Sequence, residues 1–463
     1  MTVQRLSALD AAFLALENDV QPLHVGSLLV LEGPAPDHDE LRADLERRAT
    51  AMPALRRRVQ RVAGGLGRPV WVDDPAVRVG DHVRHAVLAA PGDETELCAF
   101  VARVMEPRLD VTGPLWEMWQ VDGLDGGRWA LVVKAHHTMV DGFVGTGLLT
   151  SLLSGDGPEP APPATRFELL PAPGAPEVAR AAASWTVSLP YRAGRSLARL
   201  VTEPDRVRDR ASRLRAGVRT VAVPDLPPSV LAGPLGRRRL WRWVSYDLDG
   251  IEAAAARAGC TVNDVFLAAL AGGYRQHLLS HEALGHDTRL RSIVPVSMRT
   301  GRDDRRNGNI DAALFVDLPV HESDARTRLV DVVRQTTTAK RAGVPTSTEA
   351  LVSAADRVPA PVLDRAARAY VRRGQRRVNV AASNVMGPTE PLRVCGRRLL
   401  ELVPYLPVAL EVRTSCGLLS YADRASLAVT ADADGCPDLD GLVSAIDASM
   451  AELLALPAAD GPG

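Results

Sequence analysis

The apolar and polar positions mark two halves that each mix strand-like and helix-like stretches. Residues 23–31, LHVGSLLVL, are a nearly continuous apolar run of strand length. Residues 39–59, DELRADLERRATAMPALRRRV, show helical spacing with a charged face. Residues 128–139, RWALVVKAHHTM, read as a buried strand, and 141–155, DGFVGTGLLTSLLSG, as a helix packed through its apolar positions. A Pro-rich stretch at 155–176 holds seven prolines and marks a linker or surface crossover. Residues 178–219 are Arg-rich and partly amphipathic, interrupted by Pro190. They read either as a solvated interdomain helix or as a lipid-facing surface. A second turn-rich hinge covers 223–236.

Beyond that hinge, 261–278 predicts a helix with Thr261 or Asn263 near its start. Strands are predicted at 290–299, 310–320, 377–385 and 424–432, and a closing helix at 438–456. Mixed strands and helices in both halves predict an α/β (α+β) fold of two domains, 1–176 and 237–463, joined by a linker at 177–236. No short-period repeat interrupts this plan.

Composition narrows the function classes. With 463 residues, 46% hydrophobic content and a net charge of −1, the chain has core enough for two domains. It has no global field to attract nucleic acid. Lys134 and Lys340 are the only lysines, so arginine supplies 53 of the 55 basic residues, as expected of a GC-rich coding bias. Cys98, Cys260, Cys395, Cys416 and Cys436 are odd in number, scattered and without CxxC spacing. They suggest neither a disulfide framework nor a zinc site, and fit a reducing cytoplasm. The opening residues do not resemble a signal peptide, and no run of 18 apolar residues exists to span a bilayer.

The chemistry concentrates in KAHHTMVDGF, residues 134–143, at the junction of a strand, a loop and a helix. It holds two of the ten histidines, and Asp141 and Gly142 follow closely. Three readings compete. A histidine could be a general base, since its reference pKa of ~6.5 lets it take a proton near neutral pH. Asp141 would then hold the loop and Gly142 would allow a backbone conformation that a Cβ forbids. A metal site on His136, His137 and Asp141 is disfavoured, because adjacent histidines on a strand point to opposite faces. Two buried, satisfied histidines are the third reading. Alternation lets one ring face a cavity and the other the core, without saying which. No GxSxG elbow suggests a serine nucleophile.

HHxxxDG resembles the signature of the chloramphenicol-acetyltransferase-like, CoA-dependent acyltransferase superfamily. The ordered set of further motifs resembles one branch, the bacterial wax ester synthase/acyl-CoA:diacylglycerol acyltransferases, from about residue 5 to residue 455. The motifs are LSALDAAFLALEND…PLHVGSLLVLEG (6–33), PLWEMW (114–119), TVNDV (261–265), VPVSMR (294–299), NGN (307–309) and SNVMGP (383–388), with Met386 where proline is usual. The resemblance implies two chloramphenicol-acetyltransferase-like domains, each a mixed sheet with flanking helices, and a channel between them. It implies His137 as the general base, with His136, Asp141, Gly142 and Arg299 structural at the site and Asp141 paired to Arg299. It suggests a polarising or oxyanion role for Asn263, and Ser383 and Asn384 as channel lining.

The residues themselves also carry plainer readings. Pro114, Leu115 and Trp116 suit packing better than chemistry. Asn263 suits a helix cap as well as a site role. Arg299 could be a surface charge, Gly308 and Asn309 a turn, and Ser383 with Asn384 the approach to a turn. The implied reaction moves a long-chain fatty acyl group from acyl-CoA, as co-substrate, to the hydroxyl of diacylglycerol or a long-chain alcohol. No metal or other cofactor is expected. The expected location is cytoplasmic, with peripheral contact at the inner membrane or lipid droplets. The alternatives are another HHxxxDG acyltransferase, polyketide-associated or condensation-like, and a non-catalytic lipid-droplet-associated protein.

Overall fold

The computed structural model describes residues 4–49, 52–62, 67–74, 76–139, 153–155, 223–297, 311–343, 354–356 and 358–457, with scattered positions between 174 and 218. In chain order the strands are β1 (Gln4–Arg5), β2 (His24–Leu31), β3 (Arg57–Gln60), β4 (Val70–Asp73), β5 (Val83–Val87), β6 (Trp116–Asp122), β7 (Trp129–His136), β8 (Ser154–Gly155), β9 (Arg239–Asp247), β10 (Leu290–Ser297), β11 (Asp311–Leu318), β12 (Val380–Met386), β13 (Leu392–Val394), β14 (Arg397–Tyr405), β15 (Thr414–Tyr421) and β16 (Arg424–Asp432). The helices are α1 (Ala8–Leu16), α2 (His38–Ala49), α3 (Glu94–Met105), α4 (Leu248–Ala258), α5 (Val262–Ser280), α6 (Ala325–Arg341), α7 (Ala360–Arg373) and α8 (Leu439–Leu454).

Two mixed sheets organise the molecule, as expected of two α+β lobes. The first runs β5-β6-β7-β2-β14-β13-β8, and the second β11-β10-β12-β15-β16-β9. A small sheet, β1-β4-β3, flanks the first. The first lobe is completed by late sequence: β14 pairs antiparallel with β2, Leu402 opposite Leu29 and Tyr405 opposite Gly26. β2 and β7 are buried at every position. Such strands need covered faces on both sides, and they read as continuous apolar runs rather than as alternation.

Several expectations shift. The helical pattern at 39–59 ends at Ala49; a 3-10 turn at Pro53–Arg56 and strand β3 take the rest, with proline at the start of the turn. The helix expected at 141–155 lies outside the described residues except at its end, where Ser154–Gly155 is a strand paired with β13. The helical reading of 178–219 also lies largely outside them.

α5 is the buried axis of the second lobe, with Val265 to Ala271 inaccessible to solvent. It crosses α8 at Gly272 and Gly273. A Cβ on Gly272 would lie 2.0 Å from Ser449 Oγ, and one on Gly273 2.7 Å from Ile446 Cα. Glycine is therefore required where the helix axes approach this closely.

Candidate active site

β7 carries the histidine pair to the edge of a 3-10 turn at His137–Met139. The backbone fixes both residues: the His136 amide donates to Leu115 O (2.9 Å) and the His137 amide to Leu23 O (2.8 Å). The two side chains then diverge. His136 is fully buried. Its Nδ1 accepts the Thr138 amide (3.1 Å) and lies 2.9 Å from Thr138 Oγ1. An Nδ1 that accepts carries no proton, so the ring's N–H sits on Nε2, which faces Glu17 Oε1 at 3.6 Å. His137 is half-buried, and its ring packs against Phe13 with centroids 4.2 Å apart.

Burial lowers the pKa of both rings to about 4. For His136 the charge of Glu17 works against that shift. Both imidazoles are therefore neutral at physiological pH, the form that can accept a proton.

α1 and its exit build the surroundings. Ser7 caps the helix by accepting the Asp10 amide (3.0 Å), and Glu17 closes it, donating its amide to Phe13 O (3.1 Å). Phe13 and Glu17 lie four residues apart, so one helix end presents an aromatic ring to His137 and a carboxylate to His136. Glu17 Oε1 also accepts the Leu23 amide (3.3 Å) and lies 3.4 Å from His24 Nε2. Burial alone would raise the Glu17 pKa, but the contacts with His24 and His136 outweigh it and lower it. The carboxylate stays charged. His24 pairs across the strands with His136, bonds Met105 O through Nδ1 (3.3 Å) and accepts the Leu109 amide (3.2 Å).

Lys134 lies two residues before His136 on the same strand face and is fully buried. Its Nζ donates to Val104 O (2.7 Å), Pro107 O (2.7 Å) and Glu117 Oε1 (3.2 Å). Burial lowers its pKa, opposed by Glu117. The ammonium satisfies carbonyls at the end of α3 and ties that helix to β7.

Glu17, His24, Phe13 and Lys134 went unrecognised in the sequence. Lys134 left one signal, as one of two lysines in an arginine-rich chain. Glu17 and His24 lie within the opening motif at 6–33, but nothing marked them singly, because their meeting with His136 depends on β2 lying beside β7.

The other expected site residues divide. Asp141, Gly142 and Arg299 lie outside the described residues, as do Gly308 and Asn309. Leu115 and Trp116 are packing residues: both are fully buried, and Trp116 Nε1 donates to Leu55 O (2.9 Å). The cap of α5 is Thr261, in a reciprocal capping box with Asp264, which leaves the half-buried Asn263 outside the cap. Asp264 is engaged further by Thr336 Oγ1 (2.7 Å).

Ser383 and Asn384 are adjacent on β12, opposite Gly417 and Leu418, so they occupy opposite faces. Ser383 shares the face of Val385, which packs on the first lobe's core; Asn384 shares that of Val380 and Ala382, in the second lobe's core. Met386 is 82% exposed, so its side chain is tolerated where the resemblance expects proline. Gly387 is not replaceable in the same way, since a Cβ there would lie 2.0 Å from Ser420 O.

Known proteins resemble this chain in sequence and fold. Residues 6–266 match the wax ester synthase/diacylglycerol acyltransferase catalytic domain, and 307–454 match the C-terminal domain of the same family. The chain is 33% identical to the probable diacylglycerol O-acyltransferase tgs1 of Mycobacterium tuberculosis, over 98% of this chain and 96% of that one. It superposes on the wax ester synthase/diacylglycerol acyltransferase of Marinobacter aquaeolei VT8 with a TM-score of 0.67 and 25% identity, covering 97% of this chain and 98% of that one. The first condensation domain of the calcium-dependent antibiotic synthetase shares the fold, with a TM-score of 0.62 and 21% identity over 99% of this chain and 97% of that one. Matched along both lobes, the chain belongs to the wax ester synthase/diacylglycerol acyltransferase family of acyltransferases.

Proposed function

We propose that this acyltransferase moves a long-chain fatty acyl group from acyl-CoA to the hydroxyl of diacylglycerol or a long-chain alcohol, forming triacylglycerol or wax ester, with His137 as general base. The observation that carries the reading is the division within the pair. His136 is enclosed and engaged by Thr138 and Glu17, while His137 is half-buried against Phe13.

Neutral His137 takes the proton of the acceptor hydroxyl as its oxygen attacks the thioester carbonyl. A base with a pKa of about 4 is weak, so proton removal accompanies C–O bond formation rather than preceding it. The tetrahedral oxyanion requires donors, and the Asn263 amide, free of capping duty, suits that role. Collapse expels the CoA thiolate, which takes the proton back from the imidazolium. A thiol of pKa ~8.5 is a far better leaving group than an alkoxide, so one histidine serves both steps. Acyl-CoA is the co-substrate, and the chemistry needs no further cofactor.

Both acceptors join a hydroxyl to an apolar chain, as the names of the mycobacterial and marine relatives suggest. No helix of the described residues is long and apolar enough to cross a membrane. Contact with a lipid surface would be peripheral.

The test is thiol release from long-chain acyl-CoA with hexadecanol, diacylglycerol and short alcohols competing as acceptors. Diacylglycerol or hexadecanol should dominate the products. Preference for the short alcohols, or no transfer to any hydroxyl, would overturn the reading.

A further inference from the structure

Far along α5 from Asn263, the helix end meets the start of α8. The glycine crossing sets the approach: Gly272 and Gly273 touch Ser449 and Ile446, and further along the antiparallel pair His277 and His281 meet Asp438. The i,i+4 spacing puts both imidazoles on one helix face. Asp438 is the N-cap of α8, with Oδ1 accepting the Gly441 amide (3.0 Å). Its Oδ2 lies 3.7 Å from His281 Nε2.

One ligating atom from each of the three residues falls within 4.8 Å of the others. Tetrahedral coordination with bonds of ~2.0–2.2 Å places ligand atoms about 3.4 Å apart, so small side-chain rotations complete it.

The hydrogen bonds set the protonation that a metal ligand needs. His281 Nδ1 lies 2.8 Å from His277 O, and a carbonyl only accepts, so Nδ1 carries the proton. The Nε2 lone pair is left facing the Asp438 carboxylate. A lone pair and a carboxylate oxygen that face one another are an arrangement that a bound cation stabilises. Donation from the remote ring nitrogen to a backbone carbonyl is also how metal-bound histidines are commonly oriented. His277 is 6% exposed, and its Nδ1 is buried without a hydrogen-bond partner among the described residues. His281 and Asp438 are exposed and give an ion its path in.

We propose that His277, His281 and Asp438 form a binding site for a divalent transition metal, Zn2+ foremost, that clamps the end of α5 to the start of α8. Two imidazole nitrogens and one carboxylate oxygen suit zinc, and a water completes the fourth position. The site is separate from the histidine pair of β7.

The test uses the full chain without a polyhistidine tag, stripped with chelator and titrated with Zn2+ by calorimetry, with Co2+ absorption reporting coordination geometry. One saturable site is expected, together with a tetrahedral Co2+ spectrum. His277→Gln, His281→Gln and Asp438→Asn should each weaken binding by about 10–100-fold, at least the usual cost of losing an outer-shell partner. Asn caps helices as well as Asp does, so Asp438→Asn keeps the start of α8 intact. Its metal-free unfolding midpoint should match the wild type while binding falls. No saturable Zn2+ binding, or binding unchanged in the exposed-site variant His281→Gln, would overturn the proposal.

Discussion

At the residue scale, substitutions at the two adjacent histidines should fail in different ways. His136→Ala removes the acceptor of the Thr138 amide and leaves the buried Glu17 charge with only His24 and the Leu23 amide. That variant should lose stability, by about 1–3 kcal/mol for the stranded polar groups, read as a lower urea midpoint. The pair also sets a pH dependence. Both rings have a pKa near 4 in the fold against about 6.5 in the unfolded chain, so the unfolded state binds protons more readily between those values. Their contribution to stability is complete above about pH 6.5 and is lost as pH falls toward 4. Urea unfolding at stepped pH checks this; stability flat across that window would show that the rings are not held neutral. The HH spacing made the site legible, and the resemblance divided the roles, but the residues alone left open which ring is enclosed. That depends on a Glu17 contact of His136 whose partners are distant in sequence.

At the element scale, β7 depends on Lys134. Removing this buried ammonium strands two carbonyls at the end of α3 and leaves the Glu117 carboxylate only the partly exposed Arg84. Lys134→Ala should cost about 3–5 kcal/mol. Lys134→Arg should not rescue it, because a planar fork does not fit a point-charge site. Unfolding midpoints of both variants check this. In α5, Gly273→Ala places a methyl against the backbone of Ile446 and should cost about 1–3 kcal/mol by overpacking, seen the same way. Two later elements were legible: the strand expected at 424–432, an apolar run, is β16, and the helix expected at 438–456 is α8. β9, β14 and β15 escaped notice. β15 is buried at nearly every position, so no two-residue alternation marks it. The pattern at 39–59 misled because charged residues on β3 continue a helical spacing past Pro53.

At the scale of the whole molecule, the lobes are interlocked. β14 belongs to the first sheet, although the strands on either side of β13 and β14 in sequence belong to the second. Arg239 bridges them as well: its amide donates to Glu106 Oε1 (2.8 Å), its guanidinium reaches Val20 O, and it pairs with the buried Asp432 (3.3 Å). Arg68, also buried, pairs with Asp356 (2.7 Å), whose Oδ1 accepts the Ala8 amide at the start of α1. The helix that presents Phe13 and Glu17 to the histidines is thus anchored by the second lobe. A two-lobe plan was legible from the mixed patterning, but the strand exchange was not, since β14 carries no mark of which sheet it joins. A fragment ending at residue 236 would expose β2 as a long apolar edge. It is expected to aggregate rather than fold.

The most direct measurement is the acyl-transfer rate of His137→Gln, assayed by thiol release from long-chain acyl-CoA alongside its unfolding midpoint. The expected result is a rate lowered by about 10²–10⁴-fold with the midpoint close to wild type. Turnover within a few-fold of wild type in that folded variant would contradict His137 as the base.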